Sequence, residues 1–405
     1  MQTGMSDVHP NAIAVYEHPS QFEPLLPSMA HRLGPLAGDV LKASYKLQGR
    51  LSPDMARVLR ELVRAMNSYY SNRIEGQSTH PQNIDKALRK DFSAEPDIAR
   101  KQRIALAHMQ AEQALEDKGL VGEAALHSAV LLQAHEALYG RLEAPDRQAD
   151  EGRPIEPGQL RHEDVTVGRH HPPVHTVLPA LLARADKVYG QAMSPEGRLI
   201  AVACAHHRLM WVHPFLDGNG RACRLQTHAA LFDISQGLWS VNRGLARNRD
   251  AYYLHLAEAD MGRKGDLDGR GQLSESNLVA WCTHFLKTCL DQASFMEKML
   301  DFEGLKARVA TLMQVRMGTH PGKGYRQEAI LPLQYVMSAG PVTRGEFTQM
   351  MGLDERTARK SISQLLGDGL LLSDSHRAPL RPGLPLNALG ILFPSLYPEA
   401  DAANI

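Results

Sequence analysis

This 405-residue sequence has only four cysteines, and no two of them form a CxxC pair. A disulfide-rich scaffold and a zinc site built from cysteines are therefore not expected. The few scattered cysteines indicate a protein of a reducing compartment. No apolar run approaches the ~18–20 residues of a membrane-spanning helix. The first residues, MQTGMSDVHPN, lack a basic stretch that leads into an apolar one, so no secretory signal is expected. These absences predict a soluble, cytoplasmic protein.

Net charge is also missing, because 45 Lys and Arg balance 45 Asp and Glu. A protein whose whole surface attracts a polyanion is therefore not expected, and only a local basic patch remains open. Hydrophobic residues make up 43% of the sequence, which is enough to bury a substantial core. At roughly 150 residues per domain, the length predicts two or three domains.

Apolar residues recur at three- and four-residue spacing through most of the first 315 residues, which predicts a mainly helical fold. The clearest helix begins at Ser52-Pro53, with serine as the N-cap and proline at the first helical position, and Gly76 follows its end. Between helices, Val165 and Val167 alternate with polar neighbours, as in a short strand or hairpin. Further helices are predicted at roughly 97–118, 123–139, 178–189, 196–212, 219–235, 248–261 and 274–300.

The tail follows a Gly- and Lys-containing break at 318–324 and has a different order of elements. Its apolar spacing predicts helices at 328–337, 343–351 and 354–366, and strands at 370–372 and 389–393. Two helices, a turn, a third helix and a two-stranded ribbon form the order of a winged helix-turn-helix.

The most informative stretch is HPFLDGNGRACR, residues 213–224. Pro214 ends one helix, because the residue before a proline avoids the helical region. The glycines of the DGNG turn leave backbone N–H groups uncovered at the N-terminus of the next helix, where the helix dipole is positive. This arrangement predicts a nest for an anion such as a phosphate.

Four side chains beside this nest have complementary chemistry. Arg221 and Arg224 are three residues apart, so both leave the same side of the helix towards the nest. Asp217 is a hard oxygen ligand of the kind that Mg²⁺ bridging phosphates requires. His213 is the one group of the stretch that can accept a proton near neutral pH.

The sequence HPFLDGNGR followed by Arg224 resembles the signature of the Fic family, whose members transfer AMP from ATP to a protein hydroxyl. The motif SxxxEG at residues 71–76 is similar to the family's inhibitory helix, here placed before the core. Residues 161–175 are similar to the flap that aligns a target peptide, and residues 266–273 to a stretch often found behind the signature. The resemblance covers about 250 residues, from about 50 to 300.

The resemblance implies a mainly α fold with a Fic-type helical core and a β-hairpin flap, and the tail adds a C-terminal winged helix-turn-helix domain. The GNGR ending disfavours the branch of the family that phosphorylates with ATP in the reversed orientation. The expected divisions are an N-terminal segment with the inhibitory helix at 1–95, the catalytic core at 96–315, a linker at 316–325 and the winged-helix domain at 326–405.

The resemblance also implies roles for individual residues. His213 would be the base that deprotonates the incoming Ser, Thr or Tyr hydroxyl, and Asp217 would bind Mg²⁺, with Mn²⁺ as an alternative. Tyr252 could stack on the nucleotide base or belong to the core. The phosphates of ATP would be bound by Gly218, Asn219, Gly220, Arg221 and Arg224.

Glu75, together with Ser71 and Gly76, would form the inhibitory motif. A carboxylate in the last turn of a helix faces the negative end of the helix dipole and requires a cationic partner. The resemblance identifies that partner as Arg224, which would otherwise reach the γ-phosphate. The protein as isolated is therefore expected to be largely inactive.

Two other motifs are interpreted as structural. His170, His171 and His175 lie in a Pro-rich loop, with no cysteine or carboxylate to complete a zinc site. The stretch 266–277 begins like a calcium loop, but Arg270 stands where a ligand oxygen belongs.

The predicted function is a protein adenylyltransferase whose partners are ATP and a protein target, which could be the enzyme itself. Two alternatives remain open. One is an enzyme of the same fold that removes AMP, with Glu75 orienting the attacking water. The other is a DNA-binding regulator that uses the Fic fold as a nucleotide sensor. DNA binding by the tail and a homodimer are left open, and no membrane partner is expected.

Overall fold

The computed structural model describes residues 15–149 and 152–397, and these residues are mainly helical, as expected. The N-terminal part contains α1 (Gly34–Gln48), α2 (Pro53–Ile74), α3 (Pro81–Leu88), α4 (Pro96–Asp117) and α5 (Ser128–Tyr139). The central part contains α6 (Leu178–Tyr189), α7 (Pro195–Val212), α8 (Asn219–Ala230), α9 (Phe232–Ser235), α10 (Val241–Arg247), α11 (Arg249–Ala259) and α12 (Glu275–Met299). The tail contains α13 (Phe302–Thr319), α14 (Ile330–Ala339), α15 (Arg344–Met351), α16 (Glu355–Gly367), β1 (Leu371–Leu372), β2 (Arg381–Pro382) and α17 (Leu386–Leu392).

Helix α8 lies at the centre of the fold and begins at the predicted anion nest. All of its residues are buried, and it packs against α4, α5 and α7. Small and apolar residues such as Ala222, Leu225 and Ala229 allow this close packing. Because arginines of the same helix are buried too, each of them requires polar partners inside the protein.

Helix α12 packs against α1, α7, α10 and α11. Its Trp281 is fully buried and donates its Nε1–H to the carbonyl oxygen of Ala203 in α7 at 2.7 Å. Burial of a large apolar side chain stabilises a fold by about 1.5–3 kcal/mol. This contact therefore helps to fix α7, the helix that ends at His213.

The state of the cysteines and the character of the helices can be compared with the sequence analysis. The four cysteines are free and buried. The Sγ atoms of Cys204 and Cys282 lie 3.4 Å apart without a bond. None of the helices described here combines the length and the apolar character needed to cross a membrane. The expectation about a secretory signal concerns residues 1–11, which lie outside the described residues.

The helices predicted from apolar spacing are confirmed within a few residues in most cases. Helix α2 begins at Pro53, and the Ser52 hydroxyl accepts a hydrogen bond from the Met55 N–H at 3.3 Å, as expected of an N-cap. The helix predicted at 219–235 is divided at Leu231 into α8 and α9.

The sequence analysis did not predict α3, α10 and α13. The first two have eight and seven residues, which is too short for a clear apolar period. Helix α13 had the signal, because Leu305, Val309 and Leu312 are buried at helical spacing and Asp301 caps its start. It extends to Thr319 and so occupies the first part of the expected linker at 316–325.

The predicted tail helices are confirmed as α14, α15 and α16, but the second predicted strand is wrong. Residues 389–393 fall mostly within α17, because Leu389 and Leu392 are three apart and both buried, with α17 against α13. Strand β1 instead pairs in antiparallel fashion with β2, and Val342 forms a bridge with Leu380 beside them. The winged-helix interpretation of the tail stays a prediction.

The end of the described tail packs on α2, the helix that leads to Glu75. The Tyr70 hydroxyl donates a hydrogen bond to the carbonyl oxygen of Leu396 at 2.7 Å. The rings of Tyr69 and Tyr397 meet edge to face, with centroids 5.2 Å apart. The tail and the predicted inhibitory helix are therefore in direct contact.

Candidate active site

The loop between α7 and α8 has the shape that its sequence predicts. His213 ends α7 with left-handed backbone angles, φ 48° and ψ 62°, and Gly218 precedes α8 with φ 80°. The side chain of Asn219 fastens the loop. Its Oδ1 accepts from the Phe215 N–H and its Nδ2 donates to the Phe215 carbonyl oxygen, both at 2.9 Å. The Asn219 side chain therefore shapes the loop, and its contribution to an anion would come from its backbone.

Both glycines of the turn are required by their surroundings. A Cβ on Gly218 would overlap the ring of Tyr139, and a Cβ on Gly220 would overlap the carboxylate of Glu75. Gly218 also has a positive φ, which side chains rarely adopt. The two positions therefore admit no side chain while Tyr139 and Glu75 keep their places.

We expect Gly218→Ala to destabilise the fold by about 1–3 kcal/mol, because it adds a clash to an unfavourable backbone angle. Chemical denaturation measures the effect. Gly367→Ala is the matched control, since a Cβ there meets nothing within 4 Å. A Gly218→Ala protein as stable as the control would show that Tyr139 moves aside freely.

Arg224 is buried and held by the end of α2. Its Nε donates to the Ser71 hydroxyl at 3.0 Å, and its Nη2 donates to the Ser71 carbonyl oxygen at 3.1 Å and to Oε1 of Glu75 at 2.5 Å. Its Nη1 has no hydrogen-bond partner among the described residues and lies beside Gly220. The guanidinium thus keeps one buried donor next to the nest.

Arg221 has a similar arrangement on the other side of the nest. Its Nη1 donates to Oε1 of Gln77 at 2.9 Å, and its guanidinium carbon lies 5.5 Å from the ring centre of Tyr139. Its buried Nε has no partner within the described part of the chain, and neither has the Tyr139 hydroxyl. Buried donors without acceptors are costly, so this group of donors is suited to an anion.

Glu75 lies immediately after α2 as its C-cap, followed by Gly76 with φ 73°. Burial acts to raise the pKa of Glu75, but the guanidinium groups of Arg224 and Arg221 outweigh it and hold the pKa below its ordinary value. Burial acts to lower the pKa of Arg224, and Glu75 raises it overall. The pair is therefore ionised at neutral pH.

His213 is half-buried at the mouth of the nest. Burial lowers its pKa to about 3, with smaller contributions from its electrostatic interactions with His170 and Arg161. The imidazole is therefore neutral near pH 7, which is the form that can accept a proton. Asp217 is half-exposed beside it, and its Oδ1 accepts from the Gly218 N–H at 2.5 Å. A half-exposed carboxylate next to the donors fits the hard oxygen ligand of a Mg²⁺ ion.

The structure brings His135 and Tyr139 of α5 to the nest, and the sequence analysis missed both. Nδ1 of His135 accepts from the Gly158 N–H at 2.9 Å, so its Nε2 carries the proton and donates to the Asp217 carbonyl oxygen at 3.0 Å. Its ring stacks on Phe215 with centroids 3.9 Å apart. Two polar aromatic residues four apart on an otherwise apolar helix were the available signal.

Tyr252 lies in the core, close enough to Arg224 for its hydroxyl to raise the pKa of that guanidinium. It is fully buried, and its hydroxyl lies 2.9 Å from Nε2 of His206. The exposed tyrosine is Tyr253, whose side chain hydroxyl donates to the Ile74 carbonyl oxygen at 3.3 Å. Of the two interpretations of Tyr252, the geometry favours the core.

In the predicted flap, one antiparallel bridge joins Val167 and His170 around a tight turn. The backbone groups of Val167 and His170 exchange two hydrogen bonds of 2.9 Å, and Val167 is exposed. His170 hydrogen-bonds the Trp211 carbonyl oxygen through Nε2 at 2.7 Å, and Nδ1 of His175 lies 2.9 Å from Asp164. His170 and His175 therefore have separate partners.

In the described part of the chain, one group of side chains is close enough to hold a metal, namely Glu112, Glu116 and His228. Arg64 already donates to Glu116 at 2.8 Å and lies 3.7 Å from Glu112. Burial acts to lower the pKa of His228, and Glu112 raises it overall. This group is therefore a buried ion-pair network on α2, α4 and α8.

The middle of the chain is similar to known proteins. Residues 125–231 match the family model described as the Fic/DOC family. The chain is 32% identical over 102 residues to "Protein adenylyltransferase Fic" of Drosophila erecta, covering 25% of this chain and 19% of that protein. It is 32% identical over 133 residues to the protein of that name in Drosophila yakuba, covering 33% and 24%. The chain thus spans less than a quarter of the length of these relatives.

A solved structure has the same fold over most of the chain. It is that of a Fic family protein from Desulfovibrio desulfuricans G20, with a TM-score of 0.51 and 19% sequence identity. The match covers 91% of this chain and 98% of that one. At this identity the likeness concerns the fold alone.

Proposed function

Because residues 125–231 match the Fic/DOC family model, we propose that this chain is a protein adenylyltransferase of that family. It transfers AMP from ATP to a Ser, Thr or Tyr hydroxyl of a target protein, and Glu75 inhibits it by pairing with Arg224. The observation that carries the proposal is the set of buried donors without partners, on Arg221, Arg224 and Tyr139, around the N-terminus of α8.

The phosphates of ATP supply the acceptors that these donors lack. The backbone N–H groups at the start of α8 contribute where Gly218 and Gly220 leave them uncovered. Asp217 would hold a Mg²⁺ ion, which neutralises phosphate charge when it is bound. Catalysis then rests on positioning and on charge stabilisation, as in other transfers to phosphorus.

The transfer step uses His213 as the proton acceptor. The hydroxyl oxygen of the target attacks the α-phosphorus and forms a new P–O bond, while its proton passes to the neutral imidazole. The bond between the α-phosphorus and the bridging oxygen breaks, and pyrophosphate leaves. Because burial lowers the pKa of His213 to about 3, its imidazole is neutral before the step and has a free lone pair for that proton.

The most direct test incubates the Glu75→Gly protein with each α-labelled nucleotide and locates the label by mass spectrometry. We expect AMP on a hydroxyl side chain, from ATP in preference to CTP, GTP or UTP, and no label in the Glu75→Gly/His213→Ala control. Label from γ-labelled but not α-labelled ATP would contradict AMP transfer and indicate phosphorylation.

A second candidate is removal of AMP from a modified protein, because the Glu75 carboxylate lies beside Gly220 within the nest. There it would orient a water molecule instead of competing with the γ-phosphate for Arg224. DNA binding has less support, since Arg359 on α16 pairs with Glu355 and Lys360 donates to the Gly322 carbonyl oxygen. Incubation with an AMP-modified protein distinguishes the two enzymatic directions.

The flap gives a prediction of its own. Replacing Val167 with proline removes the N–H that donates to His170 and opens the turn. We expect self-labelling in the Glu75→Gly background to fall about tenfold while ATP hydrolysis persists, because the flap aligns the target and not the nucleotide. Val167→Thr keeps the donor and is the control. Equal losses of labelling and hydrolysis would contradict this division.

A further inference from the structure

Arg161 is a buried arginine whose hydrogen-bonding groups face main-chain oxygens. Its side chain is fully buried, and the carboxylate of Asp164, largely exposed, lies 3.6 Å away. Nε donates to the His213 carbonyl oxygen at 2.9 Å, Nη1 to that of Glu163 at 2.8 Å, and Nη2 to that of Pro173. A buried charge without a close buried counter-ion requires this full set of acceptors.

These acceptors belong to two separate pieces of chain. The His213 carbonyl lies at the end of α7, whereas Glu163 and Pro173 belong to the two sides of the flap. The backbone N–H of Arg161 adds a fourth link, to the Pro214 carbonyl oxygen at 2.9 Å. A single residue thus ties both sides of the flap to the backbone of the proton acceptor.

The hydrogen bond from Arg161 to the His213 carbonyl oxygen is important because of the backbone conformation of His213. A positive φ is uncommon for residues other than glycine, so His213 needs surrounding contacts to hold it. Arg161 supplies one through the His213 carbonyl, next to the peptide bond into Pro214. The three acceptors suit a planar guanidinium, and a lysine ammonium on a flexible stem cannot reach them in the same geometry.

We propose that Arg161 is a positioning residue that sets His213 and the flap relative to each other, so that an acceptor hydroxyl meets the proton acceptor at the α-phosphate. Arg161 does this without contacting ATP. The inference rests on the proposed function. It adds that Arg161 favours transfer of AMP to a protein hydroxyl over transfer to water.

The test compares Arg161→Lys and Arg161→Met in the Glu75→Gly background, with Arg356→Lys as the matched control at an exposed arginine of α16, away from the flap and the nest. We expect kcat for self-labelling with α-labelled ATP to fall about 10- to 100-fold, because small displacements of reacting groups have effects of that size. The KM for ATP should stay within about twofold, and self-labelling should fall more than hydrolysis of ATP to AMP. Arg356→Lys should change none of these quantities.

Hydrogen exchange on the same variants gives a readout that does not depend on activity. We expect faster exchange of the amides of 162–175 in Arg161→Lys, and unchanged exchange in α5. Unchanged exchange in the flap would overturn the proposal, and so would a rise in the KM for ATP that accounts for the whole loss of labelling. If the Glu75→Gly parent labels nothing, the proposed function fails, and the exchange result alone decides whether Arg161 holds the flap.

Discussion

Replacing Glu75 with glycine is expected to increase self-labelling with α-labelled ATP about 100-fold or more over the wild-type protein. In the wild type, Glu75 and Ser71 together occupy Nε and Nη2 of Arg224, and only Nη1 faces no partner among the described residues. A γ-phosphate would compete with Glu75 for the same guanidinium. While Glu75 holds Arg224, the γ-phosphate lacks this partner and the α-phosphate is out of line for attack. Misplaced reactants reduce the rate by orders of magnitude.

The substitution suits the position, because Glu75 is the C-cap of α2 and not an interior helical residue. Glycine is accepted there without the cost that it has inside a helix. It also removes the carboxylate that stands where a Cβ on Gly220 would be. The backbone should therefore accept glycine, but we expect a lower melting temperature, because the buried guanidinium of Arg224 loses its counter-ion.

The control variants distinguish the effect of the negative charge of Glu75 from the effect of the volume of its side chain. Glu75→Gln keeps the shape of the side chain but weakens its hold on Arg224, because an ionised partner makes the stronger hydrogen bond. It should be intermediate in activity. Glu75→Gly/His213→Ala should show no labelling. If wild type and Glu75→Gly label equally, the Glu75–Arg224 contact is structural and α2 is not an inhibitory helix.

The parts of the site that are adjacent in sequence could be predicted, and those that depend on distant partners could not. The DGNG turn, Asp217 and the two arginines follow from residues 213–224 read as a helix, a turn and a helix. The pairing of Glu75 with Arg224 joins residues 149 positions apart, and only the family resemblance pointed to it. Its details, such as the two hydrogen bonds to Ser71, required the structure.

Residues that act through backbone groups were the hardest to find. His135 and Arg161 have ordinary surroundings in the sequence, and their roles appear only when Gly158, Asp217 and Pro173 lie beside them. In the tail, the buried leucines of 389–393 fit either a strand or a helix. Their packing against α13, a helix that was not predicted, decided for the helix.

Replacing His213 with alanine is expected to reduce transfer by about 10²- to 10⁴-fold, the usual contribution of a general base. The imidazole is neutral because burial, with a smaller contribution from the nearby His170 and Arg161 side chains, lowers its pKa to about 3. Alanine leaves no group at that position to take the proton of the incoming hydroxyl. The test is self-labelling with α-labelled ATP in the Glu75→Gly background.

ATP binding should survive the same substitution, because the donors of Arg221, Arg224 and α8 do not depend on the imidazole ring. The hydrogen bond from Arg161 to position 213 uses the backbone carbonyl, which alanine retains. Alanine and histidine are similarly unfavourable in this left-handed backbone conformation. We therefore expect His213→Ala to lower the stability of the fold by no more than about 1 kcal/mol. Binding of a non-hydrolysable ATP analogue by calorimetry checks this separation. Labelling at the parent rate would remove His213 from the mechanism, whereas loss of nucleotide binding would mean that the ring holds the nest in shape.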